Sequence, residues 1–194
     1  MTYDTVRVCM MTDKQHLYKI IQSALMAAIT CIATMIIRVP SVGAVGYVNI
    51  GDAAVLISSW LIGGIYGAMA AGIGSGLADL LAGYAYYVPG TFVIKFLMAL
   101  VSYIIYKELT PKHGEAKNAI RRVIPYLLSG IPAELVMIAG YFLYKAFILG
   151  KGYAAALPSV FSNIAQGLTC LLAATLVALA LKGVNLNSIK GDMR

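Results

Sequence analysis

Residues 46–95 run GYVNIGDAAVLISSWLIGGIYGAMAAGIGSGLADLLAGYAYYVPGTFVIK. This stretch is almost entirely apolar, yet it contains two carboxylates, Asp52 and Asp79, and one lysine, Lys95. An ionised side chain near the centre of a bilayer costs at least about 2.5–3.5 kcal/mol, so each of the three needs a partner, water or a ligand. The stretch therefore predicts a polar site inside a membrane.

The composition of the whole chain indicates an integral membrane protein. Of its 194 residues 60% are hydrophobic and 12% are charged, whereas soluble domains carry about 25% charged residues. Apolar runs long enough to cross a bilayer recur along the sequence and leave no room for a separate soluble domain. We expect one membrane domain, residues 1–194, in the cell membrane. The first apolar run is longer than the core of a signal peptide, so we expect no cleaved signal.

The apolar runs predict an all-α fold of six transmembrane helices. The first ends at Arg38-Val39-Pro40, because proline disfavours helix in the residue before it. Residues 52–83 would form a helix of about 48 Å, which is too long for one span, and the pair Gly63-Gly64 divides it. The predicted helices are 17–37, 52–63, 65–83, 90–107, 123–149 and 155–181.

The positions of the basic residues predict the topology. Eleven of the fifteen lysines and arginines fall at the N-terminus, between the fourth and fifth helices, and at the C-terminus. These clusters flank apolar runs and form no groove-like patch, so they do not indicate nucleic-acid binding. By the positive-inside rule all three lie in the cytoplasm, which places both termini there.

Given this topology, the polar side chains converge in the outer half of the membrane or near its middle, as judged by 1.5 Å per helical residue. We expect a cup that is open to the outside, covered by the loop at 46–51, and suited to a small polar solute. The converging residues are Asp52, Asp79, Lys95, Glu134, Asn163 and Gln166.

Structural roles compete with ligand binding for most of these residues. Asp79 and Lys95 could form a buried ion pair between the third and fourth helices. Asp52 could instead cap the N-terminus of the second helix, and Asn49 could do the same. Glu134 has no matching partner on its own helix, which favours a functional role.

The pair Asn163 and Gln166 lies one turn apart on one helix face. Interhelical hydrogen bonds explain this pair as well as ligand contacts do. The glycines at 63, 67, 72, 74 and 76 predict close helix packing, and Ala24-xxx-Ala28 forms a similar strip of small residues in the first helix.

Several kinds of catalytic or metal site are excluded. A nucleophile elbow needs glycine two residues before and after the serine, but Ser75 has Ile73 and Leu77 there. The glycine run at Gly72 lacks the spacing of a dinucleotide-binding loop. His16 and His113 lie in predicted cytoplasmic segments, far from the polar cluster. The cysteines, at positions 9, 31 and 170, have no metal-binding spacing. We therefore expect no enzyme activity, no metal and no cofactor, and any ATP hydrolysis must reside in another chain.

Nearly the whole chain resembles the S component, the substrate-binding subunit, of an energy-coupling factor (ECF) transporter for vitamins. The resemblance lies in the six helices, in GYVNIGDA at 46–53, in GSGLADLLAGYAYYVPGTFVIK at 74–95, and in the Ala24-xxx-Ala28 strip. Within the family these strings are most similar to the branch for hydroxymethylpyrimidine or pyridoxine, and they lack the loop strings associated with riboflavin or thiamine binders.

The resemblance implies an ATP-driven, ABC-type importer. Helices 4 to 6 and the first outer loop would bind a small vitamin, and helices 1 to 3 would contact a transmembrane coupling subunit through Ala24 and Ala28. Two ATPase subunits would complete the machine. The implied ligand residues are Asn49, Lys95, Glu134, Asn163 and Gln166, with Tyr84 and Tyr87 available to stack on a heteroaromatic ring.

Two other functions compete with this interpretation. A stand-alone ion-coupled carrier would use Glu134 or Asp79 as its proton site, although the sequence shows no inverted repeat to support it. A membrane scaffold would pair its polar groups only with one another.

Overall fold

The computed structural model describes the backbone of residues 3–40, 47–110 and 119–183. Side chains are described within 14–38, 48–110 and 122–181. The tip of the first outer loop, much of the loop between the fourth and fifth helices, and the C-terminal tail lie outside these ranges. They contain Lys112, His113, Lys117, Lys190 and Arg194, on which part of the topology prediction rests. The orientation of the termini therefore stays a prediction.

The described residues form six α-helices, the number that the sequence predicts. In chain order they are α1 Tyr3–Ile36, α2 Gly51–Leu61, α3 Gly64–Leu81, α4 Val88–Leu109, α5 Ala119–Leu143 and α6 Gly152–Gly183. Helix α1 begins well before the predicted start at Leu17, because the polar N-terminal segment continues the helix beyond the apolar run. The predicted break between the second and third helices is present, with Gly63 and Gly64 at positive φ angles of 67° and 55°, which glycine adopts without steric cost.

Within the described ranges, five helices are long and apolar enough to cross a membrane: α1 from Lys14, α3, α4 with the turn before it, α5 from Arg122, and α6. Helix α2 has 11 residues, or about 16 Å, and covers only about half of the hydrocarbon thickness.

A short β-hairpin leads into α2. Strand β1 (Arg38–Pro40) pairs antiparallel with strand β2 (Tyr47–Asn49), and Arg38 lies opposite Asn49. The sequence analysis treats this segment only as a loop. The hairpin extends inward, because Asn49 is hydrogen-bonded to Gln166 near the middle of α6. The start of α2 is thereby placed inside the bundle.

Small residues let the helices of the first half pack closely, which confirms the predicted role of the glycines. A methyl group at Gly74 would collide with the backbone of Ala27 in α1, and one at Gly72 would contact the backbone of Phe92 in α4. Ala24 and Ala28, by contrast, are exposed on α1. Ala24 and Ala28 therefore lie on the side of α1 that is turned away from the bundle.

The lower half of the core is aromatic. The rings of Trp60 in α2 and Tyr126 in α5 lie 4.8 Å apart, edge to face. The indole Nε1 of Trp60 also donates a hydrogen bond of 3.0 Å to the Ser129 hydroxyl of α5. These contacts fix α2 against α5 and leave the polar side chains together above them.

Candidate functional site

An ion pair lies at the centre of the bundle. The Lys95 ammonium of α4 contacts the Asp52 carboxylate of α2, and both side chains are buried. The second oxygen of Asp52, Oδ2, accepts a hydrogen bond of 2.7 Å from the Gln166 amide of α6. A buried ion pair needs such additional hydrogen bonds to offset its desolvation. Asp52 therefore ties three helices together.

Gln166 and Asn49 extend this network to the hairpin. The Gln166 amide oxygen accepts a hydrogen bond of 2.8 Å from the backbone N–H of Asn49. The Asn49 side-chain oxygen accepts one of 2.7 Å from the N–H of Gly51, the first residue of α2. The Asn49 carbonyl accepts a contact of 3.4 Å from the Cys170 thiol. Both of these predicted ligand residues thus have structural partners.

Two sequence-based interpretations are wrong. Lys95 pairs with Asp52 rather than with Asp79, because the hairpin brings the start of α2 directly against α4. Asp52 does not cap α2: Ile50 is the N-cap residue and makes no side-chain capping bond. The capping role suggested for Asn49 matches its bond to Gly51.

Asp79 belongs to a second layer of polar contacts, nearer the C-terminal end of α3 and the N-terminal end of α4. Its carboxylate accepts a hydrogen bond from the Thr91 hydroxyl of α4. The Thr91 oxygen in turn accepts one of 3.1 Å from the Tyr141 hydroxyl of α5. The Lys95 ammonium lies 5.3 Å from the centre of the Tyr141 ring, which is within cation–π range. Tyr141 therefore connects the two layers.

Tyr141 is the site residue that sequence reasoning missed. It lies seven residues after Glu134, which is two helical turns and places both side chains on the same face of α5. Its ring is half-buried. The seven-residue spacing from Glu134 could have identified Tyr141 from the sequence. The sequence analysis instead selected Tyr84 and Tyr87, which precede α4.

Glu134 differs from every other charged residue of the cluster. Its side chain is only 5% exposed, yet within the described residues neither of its carboxylate oxygens has a hydrogen-bond partner. It lies close enough to Asp52 and Lys95 for electrostatic interaction, and it packs against Gly167 of α6. The predicted lack of a partner for Glu134 is confirmed within this part of the chain.

Asn163 lies one turn above Gly167 on the same side of α6, because four residues separate them. Its side chain is half-buried, unlike the buried Gln166. Asn163 and Tyr141 therefore both lie between Glu134 and the end of the bundle where α5 ends and α6 begins.

Tyr84 and Tyr87 lie farther out, at the turn before α4. Tyr87 is buried and packs against Tyr144, with 6.0 Å between ring centres, and the Lys145 ammonium lies 6.0 Å from its ring. Tyr84 is half-buried, and its ring centre is 6.3 Å from that of Tyr87. The structure thus brings Asn49, Lys95, Glu134 and Gln166 together in one layer and places the two tyrosines above it.

This arrangement can bind a solute but holds no catalytic constellation among the described residues. No group of three or more histidines, cysteines or carboxylates there could hold a metal ion. The described histidine, His16, bonds to Tyr66 at 2.8 Å near the start of α3, away from the polar layer.

Comparison with known protein families identifies the family to which this helical bundle belongs. The family model described as the S component of an ECF-type riboflavin transporter matches residues 14–183. The chain belongs to this family. It is therefore a multi-pass membrane protein and a transporter subunit rather than an enzyme, which confirms the coarse prediction made from its sequence.

Individual relatives agree with this assignment. The chain is 30% identical over 141 residues to a protein of Pyrococcus woesei described as "Uncharacterized protein in gap 3'region", and the match covers 73% of this chain and 86% of that protein. A solved S component of a bacterial ECF transporter superimposes with a TM-score of 0.58 at 18% identity, covering 87% of this chain and 97% of the other. That superposition shows a shared fold.

The description of the family model names riboflavin, and the comparisons do not confirm the hydroxymethylpyrimidine or pyridoxine branch that the sequence resemblance implies. The comparisons do not determine the substrate of this S component.

Proposed function

We propose that this chain captures a small water-soluble vitamin, or a vitamin precursor, with a heteroaromatic ring and delivers it to an ATP-driven ECF importer. The binding site would lie between α4, α5 and α6 around Glu134, with the β-hairpin on its outer side. Within this site Lys95 and Glu134 supply charge, Asn163 supplies an amide, and Tyr141 offers a flat ring face.

The observation that carries the proposal is the buried Glu134 carboxylate, which has no hydrogen-bond partner among the residues that the structure describes. Burying a charged group without a partner costs several kcal/mol, so such groups in membrane proteins mark sites that bind a ligand or an ion. Tyr141 and Asn163 lie on the outer side of Glu134 and are both half-buried. A ligand entering from that side would contact both before it reaches the carboxylate.

Three ligands are the leading candidates. Riboflavin is favoured by the description of the matching family. Pyridoxine or hydroxymethylpyrimidine is favoured by the similarity of the strings at 46–53 and 74–95 to that branch. All three combine a flat nitrogen-containing ring with hydroxyl groups, which suits aromatic stacking and a few directed hydrogen bonds.

The proposed partners are a transmembrane coupling subunit and two ATPase subunits, as in the family. The exposed residues Ala24 and Ala28 on α1 support a contact with the coupling subunit, because small residues allow two helices to approach closely in a membrane. On this proposal α1 to α3 form the docking side and α4 to α6 form the binding side, with both termini in the cytoplasm.

A vitamin panel tests the proposal. The chain is purified alone in detergent and titrated by calorimetry with riboflavin, pyridoxine, hydroxymethylpyrimidine and thiamine. Submicromolar binding of one compound without any partner subunit is the expected result. No binding across the panel would contradict capture and favour the scaffold role.

Uptake assays separate capture from a stand-alone carrier. Cells that express the chain with the coupling subunit and both ATPases should accumulate the bound vitamin. Cells that express the chain alone should not. Accumulation by the chain alone, abolished by a proton uncoupler, would instead indicate an ion-coupled carrier.

A further inference from the structure

We infer that the end of the bundle where α4 and α6 begin carries a second binding site, which takes a phosphate group. The site is built on Lys145 and Lys151, and neither residue belongs to the proposed vitamin site. The phosphate would come from a lipid headgroup at the membrane surface or from phosphate dissolved in water. This inference does not depend on which vitamin the chain captures.

Lys145 is a buried cation without an anionic partner. The residue is only 6% exposed. The salt bridge of the described residues joins Lys95 to Asp52, and within this part of the chain the Lys145 ammonium has neither an ion pair nor a hydrogen bond. Buried charges in proteins are normally paired. Lys145 therefore lacks the anion that such a position requires.

The surroundings of Lys145 are positive rather than negative. Its ammonium interacts electrostatically with Lys151, a second cation. The ammonium lies 6.0 Å from the ring centre of Tyr87, which is the N-cap residue of α4. Lys151 immediately precedes the first residue of α6. Because the N-terminal end of a helix carries a partial positive charge, both helix beginnings add to the preference for an anion here.

The turn between α5 and α6 holds the two lysines close together. It opens with a single turn of π-helix, Tyr144–Ile148, which carries Lys145. The backbone N–H of Lys151 donates a hydrogen bond of 3.2 Å to the Lys145 carbonyl. The Tyr144 hydroxyl donates one of 2.7 Å to the Tyr86 carbonyl, which fixes the turn against the residues that lead into α4. Single π-turns of this kind are frequent at functional sites.

Open space adjoins the lysines. Gly150 and Gly152 flank Lys151, and a Cβ atom added to either glycine would meet no atom within 4 Å beyond its chain neighbours. Lys151 itself is exposed. In the described part of the chain, the Lys145 ammonium is not one of the fully buried polar atoms that lack a partner, so it keeps an opening to the outside. We therefore place the phosphate beside Lys151, with one oxygen directed at the Lys145 ammonium.

The chemistry and the position of the site both suit a phosphate. The lysine ammonium binds phosphate as a compact charge with three hydrogen-bond donors. Tyrosine is enriched at the membrane–water interface, where lipid headgroups lie, and basic pockets between transmembrane helices bind anionic headgroups. The tyrosines at this end of the bundle are Tyr84, Tyr86, Tyr87, Tyr144 and Tyr153. An anionic lipid is therefore the source of phosphate that the surroundings favour.

Thermal unfolding of the purified chain in detergent tests the inference. The midpoint is followed at constant ionic strength while phosphatidylglycerol, phosphatidylcholine or inorganic phosphate is added, since a ligand of the folded state raises the midpoint. Phosphatidylglycerol should raise it more than phosphatidylcholine, whose choline group cancels the phosphate charge. A shift with phosphatidylglycerol alone identifies the lipid headgroup as the source. A shift with inorganic phosphate alone, relative to chloride, identifies the dissolved ion, and both shifts together mean that the site accepts either.

Lysine variants locate the site. Lys145→Met removes the charge but keeps a long side chain, and it should weaken binding about 10- to 100-fold, the range for a hydrogen bond to a charged group. Lys151→Met, at an exposed position, should weaken binding by no more than about fivefold. Lys107→Met is the matched control, because Lys107 also lies 6.0 Å from a tyrosine ring, that of Tyr103, but is exposed at the opposite end of α4. It should leave the affinity unchanged.

Two results would overturn the inference. One is the absence of any shift with inorganic phosphate together with equal shifts for the two lipids. The other is an equal loss of affinity in Lys145→Met and Lys107→Met, which would indicate binding to overall charge. If Lys145→Met does not fold, Lys145→Gln replaces it and should lose affinity to a similar extent. Vitamin binding is measured on the same preparations, so a chain that binds a vitamin but no phosphate would retain the proposed function and refute only this site.

Discussion

Asp52 and Glu134 are both buried carboxylates in the same layer of the bundle, but their surroundings differ. Asp52 has a lysine on one oxygen and an amide on the other. Glu134 has no hydrogen-bond partner on either oxygen within the described residues. The first carboxylate joins α2, α4 and α6, whereas the second is held in position by α5 with both oxygens unsatisfied.

This difference indicates a structural role for Asp52 and a ligand-binding role for Glu134. A fully satisfied network stabilises the fold and fixes one arrangement of the helices. An unsatisfied buried group lowers stability and is retained where a ligand completes it. We therefore expect substitutions in the Asp52 network to change the stability of the protein, and substitutions of Glu134 to change ligand affinity.

The largest effect on stability is expected for Asp52→Ala. This change leaves the Lys95 ammonium buried without its partner, and breaking a buried ion pair on one side costs about 3–5 kcal/mol. The free energy of unfolding, measured by denaturant titration in detergent, should fall by that amount.

The double variant Asp52→Leu with Lys95→Met is the control for this prediction. Replacing both members of a buried pair with apolar residues is often neutral, so the double variant should recover most of the lost stability. If Asp52→Ala were as stable as the wild-type chain, Asp52 and Glu134 would not differ in the way described here.

An intermediate effect is expected for Gln166→Leu. The substitution leaves Asp52 Oδ2 and the backbone N–H of Asn49 without their hydrogen bonds, and each buried unsatisfied group costs about 1–3 kcal/mol. The loss should appear as a lower midpoint of thermal unfolding. Thr169→Leu on the same helix, an exposed residue bonded only within α6 at 2.9 Å, should leave the midpoint nearly unchanged.

The smallest effect on stability is expected for Glu134→Gln in the absence of ligand. Removing a buried carboxylate that has no partner removes its desolvation cost, so the free energy of unfolding should stay the same or rise by about 1 kcal/mol. A loss of more than about 2 kcal/mol would mean that Glu134 belongs to the structural network after all.

The helices were largely predictable from the sequence because each rests on a local pattern. Apolar runs, Pro40 and the pair Gly63-Gly64 mark where segments begin and end, and the glycines of α3 predict close packing that Gly74 and Gly72 show. The β-hairpin was not predictable from such patterns, because its two strands have three residues each and are stabilised by contacts with a distant helix.

The composition of the site was predicted better than its pairing. Asp52, Lys95, Glu134 and Gln166 were all expected in one region, and they lie there. The predicted partner of Lys95 was wrong. Asp52 is 43 positions away from Lys95, and it reaches α4 only because the hairpin places the start of α2 inside the bundle. Depth along a helix places a residue in a layer, but the rotation and approach of neighbouring helices decide which side chains meet.

One measurement tests most directly the claim that Glu134 is the recognition carboxylate: the shift of the thermal unfolding midpoint on adding saturating ligand, for the wild-type chain and for Glu134→Gln. The ligand is the vitamin that binds most tightly in the panel. A ligand that binds only the folded state raises this midpoint in proportion to its affinity. The account predicts a clear upward shift for the wild-type chain and little or none for Glu134→Gln, whose midpoint before ligand is added should equal that of the wild-type chain or lie slightly above it. Equal shifts in the two proteins would contradict it.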